Sequence, residues 1–96
     1  MLFGRKKSAT EQVTEGRFEL EQDGHVGWLK YSLHGNVLEL NHTEIPPELR
    51  GKGLAAKLAQ GALDYARENS LRVDVVCDSV AAYIKKHPEY ADLVIK

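Results

Sequence analysis

The sequence predicts a small α+β domain in which a three-stranded antiparallel meander precedes a helix, a fourth strand and a C-terminal helix. The first half of the chain alternates apolar and polar residues between tight turns, which is typical of half-buried strands. A long central segment repeats apolar residues at helical spacing, and a short apolar run follows it. With 96 residues, the chain has room for one such domain and one core.

The first half of the chain contains three strand-like segments. Residues 17–22 and 25–33 flank Asp23-Gly24, a dipeptide that favours a two-residue hairpin turn. A second glycine-containing turn leads to the third segment, residues 37–43. Consecutive strands joined by tight turns pair antiparallel, so these segments predict the meander.

The second half of the chain predicts a crossover to a fourth strand. Pro46 ends the third strand because proline cannot donate to a sheet ladder. A helix over 51–67 and a strand over 72–77 follow, and this order places the last two strands near parallel. A second helix begins at Asp78 or the next residue and ends before Pro88.

The N-terminal segment, residues 1–16, is polar and shows no periodicity. We expect it to be flexible, although it could end as an edge strand. The single domain is therefore placed at residues 17–96. The segment has charged residues at positions 5–7, but no apolar stretch of a secretory signal follows them.

Composition excludes several classes of function. The formal net charge is −1, which argues against binding to nucleic acid or to a membrane surface. Cys77 is the only cysteine, so it cannot form an internal disulfide, and a cytoplasmic location is expected. The four histidines lack the spacing of a zinc site, and no metal is expected.

A basic, glycine-rich turn lies at the start of the central helix. Its glycines permit positive φ and close approach of a ligand, and the first helical turn offers amide hydrogens without partners inside the helix. These features, with two added positive charges, favour binding of phosphate groups. A surface turn with solvated charges is the alternative. The turn consists of Arg50, Gly51, Lys52, Gly53, Leu54 and Ala55.

The order of elements and the turn resemble the GCN5-related N-acetyltransferase superfamily. Its coenzyme A signature, Q/R-x-x-G-x-G/A, is matched by Arg50, Gly53 and Ala55. The chain is especially similar to the small YjdJ-type minimal acetyltransferase domains. Their motifs are matched by His42-Thr43 with Pro46, by Cys77 after the fourth strand, by Tyr83, and by His87-Pro88-Glu89-Tyr90.

The resemblance implies an acetyl-CoA-dependent N-acetyltransferase of the GNAT type, with coenzyme A on the 50–55 turn and Thr43 in the cofactor site. The acceptor would be an amine on a small molecule, a protein lysine or an N-terminus, and the protein a monomer or weak homodimer. Val75 and Ser79 depart from the subgroup pattern, and the chain is short for the superfamily. Activity could therefore be weak. A non-enzymatic acyl-CoA-binding or sensing module is the alternative, and an interaction module without a ligand is a third.

Cys77, His42 and Tyr83 are the candidate catalytic residues. Cys77 could carry the acetyl group or be a small buried residue. His42 could serve as the base or position the acetyl group, or it could be a core histidine, because it shares a face with two leucines. Glu39 lies three residues away on the same strand, so only one of the two can point at the site unless a bulge intervenes, and Glu44 is a third option. Tyr83 could protonate the thiolate or simply pack on the helix. Direct attack of the amine is favoured over a two-step route.

Overall fold

Five strands and two α-helices make up the part of the protein that this computed structural model describes, residues 2–7 and 13–95. The strands are β1 (Leu2–Lys7), β2 (Val13–Gln22), β3 (His25–His34), β4 (Val37–Glu44) and β5 (Arg72–Val75). The helices are α1 (Leu54–Glu68) and α2 (Asp78–Lys86), with 3-10 helices at Pro47–Leu49 and Pro88–Leu93. The strands form one sheet in chain order. The α+β class is confirmed.

The predicted meander and crossover are both present. β2, β3 and β4 pair antiparallel, whereas β5 pairs parallel with β4 after the α1 crossover. Asp23 and Gly24 close the first hairpin with φ values of 53° and 79°. Positive φ at both central residues gives the turn the twist that matches the flanking strands. The dipeptide therefore fixes the register of β2 against β3.

The N-terminal region differs from the expectation of a flexible segment over 1–16. β1 pairs antiparallel with β2, from Leu2 opposite Glu19 to Lys7 opposite Thr14. β2 itself begins at Val13. Backbone pairing at a sheet edge needs no side-chain alternation, so the sequence pattern did not predict β1. Residues 8–12 lie outside the described residues, and the division of the chain at residue 17 stays a prediction.

Two element boundaries near the site also differ from the predicted ones. α1 begins at Leu54 rather than at residue 51, because Gly53 has a φ of 75° and stands outside the helix. β5 ends at Val75 rather than at Cys77. Neither α1 nor α2, the α-helices of the described residues, is long and apolar enough to cross a membrane.

The core lies between the sheet and the two helices. α1 presents an apolar stripe to the sheet, as the helical spacing of its apolar residues predicted. Gly27 permits close approach of the segment that follows β4, because a Cβ there would lie 2.9 Å from Ile45 Cδ1. The largest fully buried side chains are Phe18, Leu29, Leu38, Leu40, Leu49, Leu54, Leu58, Leu63, Val73 and Val80.

The C-terminal 3-10 helix is fastened to α1 by polar contacts. The buried Tyr90 hydroxyl donates to Asp64 Oδ1 at 2.7 Å. This hydrogen bond to a carboxylate, with burial as a second cause, raises the pKa of Tyr90 to about 12. Arg67 donates to Asp92 Oδ1 at 2.9 Å and to the Glu89 carbonyl at 2.8 Å. These contacts fix the chain end against the helix that follows the basic turn.

Candidate functional site

The glycine-rich turn leaves the first amides of α1 open to a ligand. Gly51 and Gly53 have φ values of 80° and 75°, a region that favours glycine. Gly53 is the N-cap residue, and no side chain of the described residues caps the helix there. The hydrogen bond from the Lys57 amide to the Gly53 carbonyl is 3.2 Å long, so the amides before Lys57 precede the first intrahelical donor. With no acidic residue in this first turn, the site suits an anion.

The two cations of the turn have partners within the protein. Arg50 Nε donates to the Ile45 carbonyl at 3.4 Å, which holds the guanidinium beside the end of β4. Lys52 Nζ lies 3.2 Å from Asp23 Oδ2 at the tip of the β2–β3 hairpin. Both contacts are solvent-exposed, so both side chains remain accessible to an incoming ligand.

A β-bulge in β4 decides which of its last residues face the buried side of the sheet. Lys30 pairs with His42, but the next residue of β3 pairs with Leu40, so Asn41 is the extra residue. The alternation therefore reverses beyond Asn41. Thr43 lies opposite the buried Leu29, whereas His42 lies opposite an exposed lysine. His42 does not share the buried face of Leu40, and its interpretation as a core histidine is wrong.

The strands β4 and β5 separate where the bulge occurs. Their pairing ends at Leu40 and Val75. The amides of Val76 and Cys77 both donate to the Leu40 carbonyl, at 3.0 and 2.9 Å, which ends the ladder. β4 continues to Glu44 beyond this point. The separation opens a cleft of about 300 Å³ lined by Asn41, His42, Thr43, Val76, Cys77, Asp78 and Ser79.

Cys77 lies inside this cleft at the start of α2. It is the N-cap residue of that helix and is only 6% exposed. Its Sγ lies 3.2 Å from Thr43 Oγ1, and either atom could be the donor. The structure therefore brings together two of the predicted site residues across the gap between the strands.

His42 lies at the exposed side of the cleft and contacts Glu44. The Nε2 and Oε1 atoms are 2.9 Å apart, and the histidine side chain is 62% exposed. Because a carboxylate can only accept, Nε2 donates and Nδ1 of the neutral ring keeps a lone pair. The Trp28 ring lies edge-on to the imidazole, with centroids 5.9 Å apart. Glu39, the other candidate base, lies away from His42, with its Oε1 atom 3.9 Å from Nε2 of His34.

Tyr83 lies in a neighbouring groove rather than in the cleft. It stacks on His87, with ring centroids 4.2 Å apart. Burial, with smaller contributions from Asp64 and Glu89, raises the pKa of Tyr83, so the phenol keeps its proton at neutral pH. The groove has a volume of about 160 Å³ and is lined by Ala56, Ser79, Ala82, Tyr83 and Lys86.

Ser79 joins the cleft to the groove, because it lines both. Ala56, in the first turn of α1, lines the groove as well. The glycine-rich turn, the groove and the cleft are therefore neighbours along one surface. Sequence reasoning singled out neither Asn41 nor Ser79 as a site residue. Asn41 is identified only by the bulge in the structure. Ser79 could have been identified from the sequence, because it lies two residues after Cys77.

A family model described as GCN5-related N-acetyl-transferase matches residues 17–93. The chain belongs to this family. The match includes the turn, the bulged strand and the helix that begins beside Cys77. Family membership supports acyl transfer as the general class of activity, and it confirms the resemblance that the motifs indicated.

Several known proteins are similar to part or most of the chain. Protein NATD1 of Bos taurus is 40% identical over 52 residues, or 54% of this chain and 46% of that protein. Protein NATD1 of Danio rerio is 32% identical over 61 residues, or 62% and 56% of the two chains. This chain thus spans about half the length of these relatives. A GCN5-like protein of Staphylococcus aureus, solved by NMR, has 23% identity and a TM-score of 0.62 over 95% of this chain and 86% of its own, which shows a shared fold.

Proposed function

We propose that the protein is an acetyl-CoA-dependent N-acetyltransferase that transfers an acetyl group directly to an amine. The observation that carries the proposal is the arrangement of the cleft. It opens between β4 and β5, contains Cys77 and Thr43, and continues through Ser79 to the groove beside the first turn of α1. The glycine-rich turn and the cleft that contains the buried Cys77 are thus joined by a path along the protein surface.

Coenzyme A fits the residues present on this path. The uncapped start of α1 suits the pyrophosphate, and a Cβ at Gly51 or Gly53 would point into open space that a ligand could fill. The pantetheine arm resembles a peptide, and β4 extends beyond its last pair with β5, which suits backbone pairing with that arm. Acetyl-CoA would supply the acetyl thioester. The proposed cofactor-binding residues are Thr43, Arg50, Gly51, Lys52, Gly53, Leu54 and Ala55.

His42 is proposed to accept the proton of the acceptor amine. Its Nδ1 keeps a lone pair because Nε2 donates to Glu44, and the carboxylate stabilises the imidazolium that forms. The exposed side of the cleft is where an acceptor can enter. Glu44 acts through the histidine and is a positioning residue.

Cys77 and Tyr83 have supporting roles in this proposal. Cys77 is buried and hydrogen-bonded to Thr43, which limits its access to a thioester and favours direct attack. Its thiol and the Thr43 hydroxyl instead shape the wall of the cleft. Tyr83 lines the groove that adjoins the cleft at Ser79 and keeps its proton at neutral pH, so it is the candidate donor to a thiolate that departs along this path.

The experiment combines cofactor titration with a test of turnover. Purified protein is titrated calorimetrically with CoA and acetyl-CoA, and release of CoA is then followed with a panel of amines. His42→Gln should lower turnover about 100-fold without changing CoA affinity, because it removes the base alone. His34→Gln is the matched control, since His34 also lies beside a carboxylate on the same sheet and should leave both quantities unchanged.

The outcomes separate the competing functions. Binding of acetyl-CoA without turnover on any amine would support the acyl-CoA-binding or sensing module. If neither CoA nor acetyl-CoA binds, both the acetyltransferase and the acyl-CoA-binding module are contradicted, and an interaction module without a ligand is favoured. A cytoplasmic location, which suits a single free thiol, and a monomeric or weakly dimeric state belong to the same proposal.

A further inference from the structure

The β2–β3 hairpin is held against the loop that leads into the glycine-rich turn. Lys52 Nζ lies 3.2 Å from Asp23 Oδ2, and His25 Nδ1 lies 3.8 Å from Glu48 Oε1. Between the same two segments, Gly27 lets the hairpin backbone come so near the loop that a Cβ would lie 2.9 Å from Ile45 Cδ1. Three contacts therefore fix the hairpin tip beside the proposed phosphate site.

Asp23 is oriented by the turn in which it lies. Its φ of 53° and the 79° of Gly24 define a two-residue turn with little conformational freedom. The Asp23 side chain is 65% exposed and that of Lys52 is 43% exposed. The lysine ammonium is a point charge on a flexible stem, so it can leave an exposed carboxylate for a more highly charged phosphate.

We propose that Asp23 is an affinity-setting residue: it positions Lys52 in the free protein and competes with the phosphates of the cofactor for that ammonium group. The inference rests on the proposed function, in which Lys52 belongs to the cofactor turn. Binding of a phosphorylated ligand moves Lys52 from the Asp23 carboxylate to the phosphate. Because the ammonium group must leave Asp23 before it can contact a phosphate, the Asp23–Lys52 ion pair lowers the affinity for the anion.

The test measures CoA affinity in Asp23→Asn. Asparagine is well tolerated at positive φ, so the hairpin turn is kept while the charge is removed. Affinity for CoA should rise about two- to fivefold, the range expected for an exposed ion pair. Glu21→Gln is the control, because it removes a charge from an exposed position of the same hairpin. Pantetheine, which has no phosphate, should bind the wild type and Asp23→Asn equally.

A second background tests whether the effect passes through Lys52. In Lys52→Gln the added Asp23→Asn substitution should change CoA affinity by less than about 1.5-fold, because no ammonium group remains for Asp23 to hold. The two substitutions are therefore expected to be non-additive. An equal gain in Glu21→Gln and Asp23→Asn, or a full gain in the Lys52→Gln background, would overturn the inference while leaving the cofactor site intact. Failure of the wild type to bind CoA would instead overturn the proposed function, and this inference with it.

Discussion

Replacement of Gly53 by alanine separates backbone strain from loss of ligand contact. Gly53 has a φ of 75°, and a Cβ there would meet no atom within 4 Å. The substitution therefore causes no clash, but the left-handed backbone costs about 1–2 kcal/mol for an L-residue. In a domain of this size each kcal/mol lowers the melting temperature by about 4–8 °C. Gly35→Ala is the matched control, because Gly35 has a φ of 59° and equally open surroundings but lies in the β3–β4 turn.

The two alanine variants should lose similar stability but differ in cofactor binding. Gly53→Ala should weaken CoA binding at least about tenfold, or about 1.4 kcal/mol, because the new methyl group occupies the space beside the first amides of α1. Gly35→Ala should bind CoA like the wild type. Thermal unfolding measures the first effect and isothermal titration calorimetry the second. Equal CoA affinities in the two variants would refute a role of Gly53 in backbone approach to the ligand.

Three further predictions concern packing, titration and the thiol. Leu58→Ala should lower the free energy of unfolding in urea by about 2–5 kcal/mol, because Leu58 is fully buried. The control Gln60→Ala changes an exposed residue of the same helix and should alter it by no more than about 0.5 kcal/mol. A loss below about 1 kcal/mol for Leu58→Ala would mean that another face of the helix packs on the sheet. The pKa of Tyr90 is raised to about 12, so the stability from its hydrogen bond is complete below pH 10 and is lost between about pH 10 and 12. Tyr90→Phe should lack this decline when the free energy of unfolding is measured against pH. Equal declines in the wild type and the variant would contradict this prediction. Cys77→Ala should keep turnover within about tenfold if transfer is direct, and complete loss with unchanged CoA affinity and fold would show a two-step route.

The fold was predictable where local pattern and tertiary structure agree. Asp23-Gly24 fixed the first hairpin, and the apolar repeat of α1 chose the face that packs on the sheet. β1 was not predictable, because its pairing with β2 depends on backbone hydrogen bonds at an edge rather than on side-chain alternation. The early end of β5 at Val75 likewise depends on a bulge in its neighbour.

The candidate site was predictable in its motifs but less so in its geometry. The 50–55 turn stands at the start of α1, and Cys77 stands at the start of α2, as the order of elements indicated. The interpretation of His42 as a core residue placed its side chain on the wrong face of β4, because an extra residue, Asn41, reverses the alternation of the strand. A single inserted position in a strand leaves no mark in its composition.

The most direct test of the proposed function is a titration of isotope-labelled protein with acetyl-CoA, followed by backbone amide shifts in NMR spectra. We expect the largest changes at residues 50–57 around the glycine-rich turn and at 41–43 and 76–79 around the cleft, since the cofactor is proposed to bridge them. Saturable changes confined to these segments would support the account. Changes that cluster elsewhere on the sheet, or spectra that acetyl-CoA leaves unaltered, would contradict it.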